Sequence, residues 1–151
     1  MKVVLQRVKA ASVKIDKKIF SEIQEGVLLL WGIKRGDSIK DADVLVKKIG
    51  NMRIFSDNSG KMNKSLKDID GQILLVSQFT LLGNILNGNR PSFIEAEEPN
   101  NANQMLSYIS KELSTYAEVR EGKFGAYMNI SLENDGPVTI ILESENGHLK
   151  L

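Results

Sequence analysis

Gln72-Ile73-Leu74-Leu75-Val76-Ser77-Gln78-Phe79-Thr80 is the stretch on which the fold turns. Ile73 to Val76 form an unbroken apolar run, as expected of a strand buried on both faces. The run passes directly into Ser77, Gln78 and Thr80, so polar groups close a buried strand. Gly26 to Ile33 is a second continuous apolar strand candidate upstream of it.

Working outward, Lys2 to Val8 and Ser12 to Ile15 are rich in Val and Ile, and Asp16-Lys17-Lys18 supplies a polar turn, so the chain is expected to begin with a hairpin. Asp37-Ser38 offers helix caps before Ala42, Leu45, Val46 and Ile49, whose spacing predicts an amphipathic helix ending near Gly50. Ile54-Phe55 leads into Ser56-Asp57-Asn58-Ser59-Gly60, and the polar segment to Gly71 reads as a long surface excursion. Pro99 and Asn100 open a second helix carrying Ala102, Leu106, Ile109, Leu113 and Tyr116 on one face. Ala126 to Leu132 alternates as a half-buried strand, Asn134-Asp135-Gly136-Pro137 is a dense turn signal, and Val138 to Glu143 is a final strand. Strands dominate, with two helices far apart. The expectation is one α+β domain over 1–151, a curved antiparallel-rich sheet or open β-barrel with both helices packed outside.

The chain has 151 residues, 42% of them hydrophobic and 26% charged, which excludes disordered and fibrous classes. It contains no cysteine and one histidine, His148, near the C-terminal Leu151. Disulfides, thiol nucleophiles, zinc ribbons and iron-sulfur clusters are thereby excluded, and no metal or cofactor is expected. No apolar segment follows the basic start, and the longest apolar run, Val27 to Trp31, is far below the about 20 residues of a membrane span, so a cytoplasmic protein without membrane attachment is expected. A net charge of +1 supplies no global field for nucleic acid, so any such contact is expected to be local, and no DNA partner is expected.

Gly83 to Gly88 has the spacing of a phosphate-binding loop, but Asn89-Arg90 follows where Lys and Ser or Thr are required. Glu95, Glu97 and Glu98 precede the second helix and read as charge matching its dipole. Two features remain. Ser77-Gln78-Phe79-Thr80 gathers hydroxyls, an amide and backbone N–H groups at a strand end, either as a site or as the outward polar face of a strand. Gly136-Pro137 permits a close backbone approach and a cis peptide, or is an ordinary turn.

At these two segments the sequence resembles the D-aminoacyl-tRNA deacylases, the family once described through D-tyrosyl-tRNA. Its Ser-Gln-Phe-Thr motif stands here as residues 77–80, and its Asn-x-Gly-Pro-Val-Thr motif as Asn134-Asp135-Gly136-Pro137-Val138-Thr139. Flanking matches include Gln6-Arg7-Val8, Arg53-Ile54-Phe55, Gly88-Asn89-Arg90-Pro91-Ser92-Phe93 and Gly122-Lys123-Phe124-Gly125-Ala126. The loop Leu82 to Asn87 departs from the family by lacking its aromatic and more polar residues, a change expected at the rim of the site.

The resemblance implies a homodimer in which the cis Gly136-Pro137 turn of one subunit enters the pocket of the other. Its carbonyls would face the substrate's α-carbon, so that an L side chain collides with backbone while a D side chain, or glycine, does not. By similarity Arg7 holds this turn and Met128 packs near it. The partner would be a tRNA acceptor end carrying a D-amino acid or glycine, and the reaction hydrolysis of the ester to the terminal adenosine. Backbone N–H groups around Gln78 and Phe79 are the expected oxyanion donors, with Ser77 beside them, and Thr80 is nucleophile or orienter. Without an evident base, water attack assisted by the ribose 2′-hydroxyl is the favoured route. Competing readings are a non-catalytic dimeric module binding a tRNA end or a small ligand, and an esterase or peptidase pairing Ser77 or Thr80 with His148.

Overall fold

The computed structural model describes residues 1–86 and 88–150. β1 (Lys2–Ile15) is one 14-residue strand, not the two short ones expected. It pairs antiparallel with β2 (Lys18–Ile23) through its second half and with β3 (Gly26–Gly32) through its first. α1 (Ile39–Gly50) follows, then a small ribbon of β4 (Phe55–Ser56) and β5 (Met62–Lys64) inside the surface excursion. β6 (Gln72–Ser77) lies parallel to β3, and after α2 (Pro99–Leu113) β7 (Glu118–Glu121) lies parallel to β6. β8 (Asn129–Glu145) runs antiparallel to β1, and β9 (His148–Leu149) closes on its end.

The sheet order is β7-β6-β3-β1-β8-β9, with β2 also on β1. The curled sheet is therefore mixed, because β6 and β7 both reach their neighbours by parallel crossovers. β7 has no counterpart in the sequence reading: Glu118, Arg120 and Glu121 are exposed, leaving Val119 as its one half-buried apolar side chain. α2 stops at Leu113, short of Tyr116, although Tyr116 still packs against the core.

β3 and β6 explain their own composition. Val27, Leu29, Trp31, Ile73 and Leu75 face the helices, in one cluster with Leu45, Ile49, Ile109 and Leu113. Leu28, Leu74 and Val76 face the opposite side, packed with Val8, Ala11, Val13 and Ile23 in a second cluster inside the curl. β1 serves both cores because a register irregularity between Val8 and Ala10 changes the side to which its alternate residues point. Val3 and Leu5 belong to the first cluster, Val8, Ala11 and Val13 to the second. β3 and β6 approach so closely at Gly26 that a Cβ there would lie 1.9 Å from the Gln72 carbonyl oxygen.

α1 begins at Ser38, whose backbone N–H and hydroxyl both donate to the Asp41 carboxylate, at 2.9 and 2.8 Å. The same carboxylate accepts from the Gly147 N–H at 2.9 Å, and the Asp41 carbonyl accepts from the buried Ser144 hydroxyl at 3.0 Å. Burial acts to raise the Asp41 pKa, but the donors from Gly147 and Ser38 together hold it below its ordinary value. A depressed carboxylate contributes stability that is complete above its unfolded pKa and is lost as pH falls through the folded value. Asp41→Asn is expected to cost about 1–3 kcal/mol at neutral pH. Urea denaturation at pH 7 and pH 3 should show the difference between wild type and variant shrinking in acid.

Candidate active site

Register places Ser77 beside Trp31 at the carboxyl ends of the parallel pair β6 and β3. There the strand reading of residues 78–80 is corrected: Phe79–Leu82 form a 3-10 turn. The Gln78 N–H donates to the Trp31 carbonyl at 2.8 Å, the Leu81 N–H to the Gln78 carbonyl at 3.2 Å, and the Gly83 N–H to the Thr80 carbonyl at 3.0 Å. The N–H groups of Phe79 and Thr80 donate to no acceptor among the described residues, the normal state of the first turn of a helix. Of the N–H groups expected around Gln78 and Phe79, that of Gln78 belongs to the sheet, while those of Phe79 and its neighbour Thr80 stay open.

Ser77, Gln78 and Phe79 line a cavity of about 430 Å³, with Phe124, Tyr127 and Met128 opposite. Its wall is mostly apolar. Phe79 is 54% exposed and meets Phe93 edge to face, with ring centroids 5.2 Å apart at 76°. Tyr127 is 87% exposed at the rim. Thr80 is not in this wall; its hydroxyl accepts from the Gln78 side-chain amide, so Gln78 spans cavity and threonine.

The 93–97 and 124–127 segments in and beside this wall lie outside the site residues expected from the sequence, though Gly122 to Ala126 is visible there as a motif. Among them Glu97 supplies a carboxylate to the cavity wall. A hydrogen bond from the Glu98 N–H at 2.8 Å is the main cause holding its pKa below the ordinary value, aided by Asn101. Glu95 and Glu98 instead pair with Lys34 at 3.7 Å and Arg35 at 2.5 Å.

Gly136 and Pro137 are joined by a cis peptide and are exposed, but they do not separate two strands as expected. They lie within β8, where Asn134 pairs with Val8 and Thr139 with Gln6, so four residues bulge opposite Arg7. The Asn134 side chain braces the bulge by donating to the Thr139 hydroxyl at 3.1 Å and accepting from the Val138 N–H at 3.3 Å. Arg7 is buried beneath it. Its Nε lies 3.1 Å from Asp135 Oδ2 and donates to the Asp135 carbonyl at 3.2 Å, while Nη1 donates to the Ile54 carbonyl. Gly136 has φ +119°, and a Cβ would stand 2.7 Å from Arg7 Nη2. The turn and Arg7 do not line the cavity of their own chain; Met128 does.

Among the described residues no group of three His, Cys, Asp or Glu side chains is placed to hold a metal. His148 lies on β9, its Nδ1 2.8 Å from the Asn146 carbonyl, and lines a groove separate from Ser77. The esterase reading that paired it with Ser77 or Thr80 is thereby overturned. Among the described residues no helix is long and apolar enough to cross a membrane.

The family description D-Tyr-tRNA(Tyr) deacylase matches residues 4–143. A relative from Fusobacterium nucleatum subsp. nucleatum, named D-aminoacyl-tRNA deacylase, is 49% identical across 99% of this chain and 100% of its own. The solved structure of a c-Myc DNA Unwinding Element Binding Protein superposes with a TM-score of 0.90 at 44% identity, covering 96% of this chain and 99% of that one. A probable eukaryotic D-amino acid tRNA deacylase shares the fold at a TM-score of 0.78 and 16% identity, over 93% and 97% of the two chains. With both motifs in place on this fold, the chain belongs to the D-Tyr-tRNA(Tyr) deacylase family and is a hydrolase of that family.

Proposed function

We propose that the whole chain, 1–151, acts as one deacylase domain that hydrolyses the ester of D-aminoacyl-tRNA, and of glycyl-tRNA mischarged on tRNA-Ala, in the cavity between the 77–80 turn and Phe124 to Met128. The observation that carries this reading is the pair of free N–H groups, Phe79 and Thr80, at a rigid strand end beside an apolar cavity. Such donors stabilise a developing oxyanion, each worth several kcal/mol. Family membership favours this enzyme over a module that only binds.

No imidazole or thiol lines the cavity, and an amide is not a base. Because Thr80 accepts from Gln78, its own hydroxyl proton is left available as a donor to substrate. Thr80 is then an orienter, and the attacking water is assisted by the terminal ribose 2′-hydroxyl. Holding ester, water and hydroxyl together supplies much of the remaining acceleration.

The cavity is completed by the Gly136-Pro137 turn of a second copy. Two features support this: the turn is exposed and braced by Arg7, yet lies outside its own chain's cavity. The free edge of β8 before its pairing with β9, with Ile19, Phe20, Leu132 and Ile141 exposed on β2 and β8, offers the surface for such a homodimer. The inserted carbonyls exclude an L side chain by collision, whereas a D side chain points outward and glycine passes. These substrates assign the protein to the cytoplasm, where aminoacyl-tRNA is used.

Incubation with D-aminoacyl-, L-aminoacyl- and glycyl-tRNA, followed by assay of surviving ester, is expected to show loss of the D and glycyl forms and survival of the L form. Equal loss of D and L forms would remove the chirality filter. A terminal 2′-deoxyadenosine substrate is expected to be hydrolysed at least tenfold more slowly, and Thr80→Ala to retain more activity than that substrate change leaves. Gly136→Ala places a methyl against Arg7 in a region of φ that favours glycine, and is expected to lower kcat/KM on the D substrate by about tenfold, or 1.4 kcal/mol. Equal activity of this variant, with the fold verified by circular dichroism, would show the turn to be remote from substrate.

A further inference from the structure

Apart from the cavity, an open groove of about 760 Å³ runs along the outer stripe of α1, bounded by Val44, Lys47, Lys48, Met52, Arg53 and His148. None of the residues lining it is acidic. Lys47, Lys48 and Arg53 are exposed, and none forms an ion pair among the described residues. Lysines in the last turn of a helix match its dipole, which accounts for Lys47 and Lys48 alone. It does not account for Arg53 beyond the helix end, or for His148 arriving on β9 from the far end of the sequence.

We infer that this groove binds the phosphodiester backbone of the tRNA whose acceptor end enters the cavity. The inference rests on the substrate reading above. Three observations support it. The groove gathers fixed cations from α1 and the segment after it on a protein whose net charge is only +1, so the basic character is local. Its floor, Val44 and Met52 with Leu149 at 40% exposure, is apolar, which suits the carbon face of ribose between phosphates. Most importantly, the groove is mechanically joined to the bulge: Arg53 precedes Ile54, whose carbonyl takes Arg7 Nη1, and Arg7 Nε holds Asp135 next to Gly136. In the proposed dimer that turn enters the partner's cavity, and the groove belongs to the subunit that supplies the turn. The substrate would thus be gripped by one chain and cleaved in its partner.

The test compares the double variant Lys47→Glu/Lys48→Glu with wild type on two substrates, whole D-aminoacyl-tRNA and the D-aminoacyl ester of adenosine, which is too short to reach the groove. The ratio of kcat/KM on tRNA to that on the small ester is expected to fall on the order of tenfold, and the salt dependence on tRNA to weaken by about 0.7–0.9 log units per log unit of salt for each phosphate contact removed. Lys47→Arg/Lys48→Arg is expected to keep the wild-type ratio. An unchanged ratio and salt slope in the Glu variant, or an equal fall in the Arg variant, overturns the inference. Binding of uncharged tRNA, measured in parallel, reads the groove even if wild type cleaves neither ester, a result that would fail the substrate reading alone. Equal binding of a DNA duplex, with the same loss on charge reversal, would overturn the assignment to tRNA.

Discussion

Burial of β3 and β6 on both faces is the constraint from which the architecture follows. A strand with apolar side chains on both sides needs cover on both, and this chain supplies it in two ways. α1 and α2 cover one face, and the sheet curls over the other so that β1, β2 and the start of β8 close on Leu28, Leu74 and Val76. Parallel pairing aligns the carboxyl ends of β3 and β6, so Trp31 and Ser77 finish side by side. Polar backbone groups can leave the sheet only where the double cover ends, and the 78–82 turn is that place.

Arg7 is the corresponding device at the other feature of note. A guanidinium buried to 7% exposure needs hydrogen-bonding partners, and it finds the Ile54 carbonyl and both the carbonyl and carboxylate of Asp135. The ladder between β1 and β8 resumes after three extra residues, four of β8 standing against one of β1, and that one is the brace. One buried cation therefore ties the excursion after α1, the bend of β1 and the Gly136 bulge into a single unit. Lys9, 3.5 Å from the same Asp135 carboxylate, reinforces it from outside.

Most of this was legible in the residues. The apolar runs of β3 and β6, the Ser38 cap of α1 and Pro99 at the start of α2 each carry a local signal, and the structure follows them. What escaped was set by pairing rather than by local pattern. Nothing within Ala126 to Glu143 shows that both halves face the same partner strand, so a bulge in β8 reads as a turn between two strands. β7 is a short edge strand with one half-buried apolar side chain, and β1 reads as two strands because its inward set changes phase at the irregularity after Val8. At the site, the loss of the Gln78 N–H to the sheet depends on one hydrogen bond to Trp31, a contact between residues remote in sequence. Glu97 reads as helix-end charge in the sequence, and a hydrogen bond from its N–H to the carbonyl of Ile33, a contact remote in sequence, holds it in the cavity wall.

The scarcity of histidine and cysteine, which excludes thiol and zinc chemistry, takes a further meaning on this fold. A strand end in a doubly covered sheet holds backbone N–H groups in fixed orientation without any titrating side chain, and an activated ester needs stabilisation of charge more than a strong base. Ser77, Gln78, Phe79 and Thr80 are all neutral, so the cavity loses no donor to a change in protonation. The ionised group in its wall, Glu97, is already engaged by the Glu98 N–H and Asn101, which binds that carboxylate to the start of α2. Catalysis built from backbone geometry is as stable as the geometry itself. It is therefore the packing of β3 against β6, rather than any single reactive side chain, on which such chemistry depends.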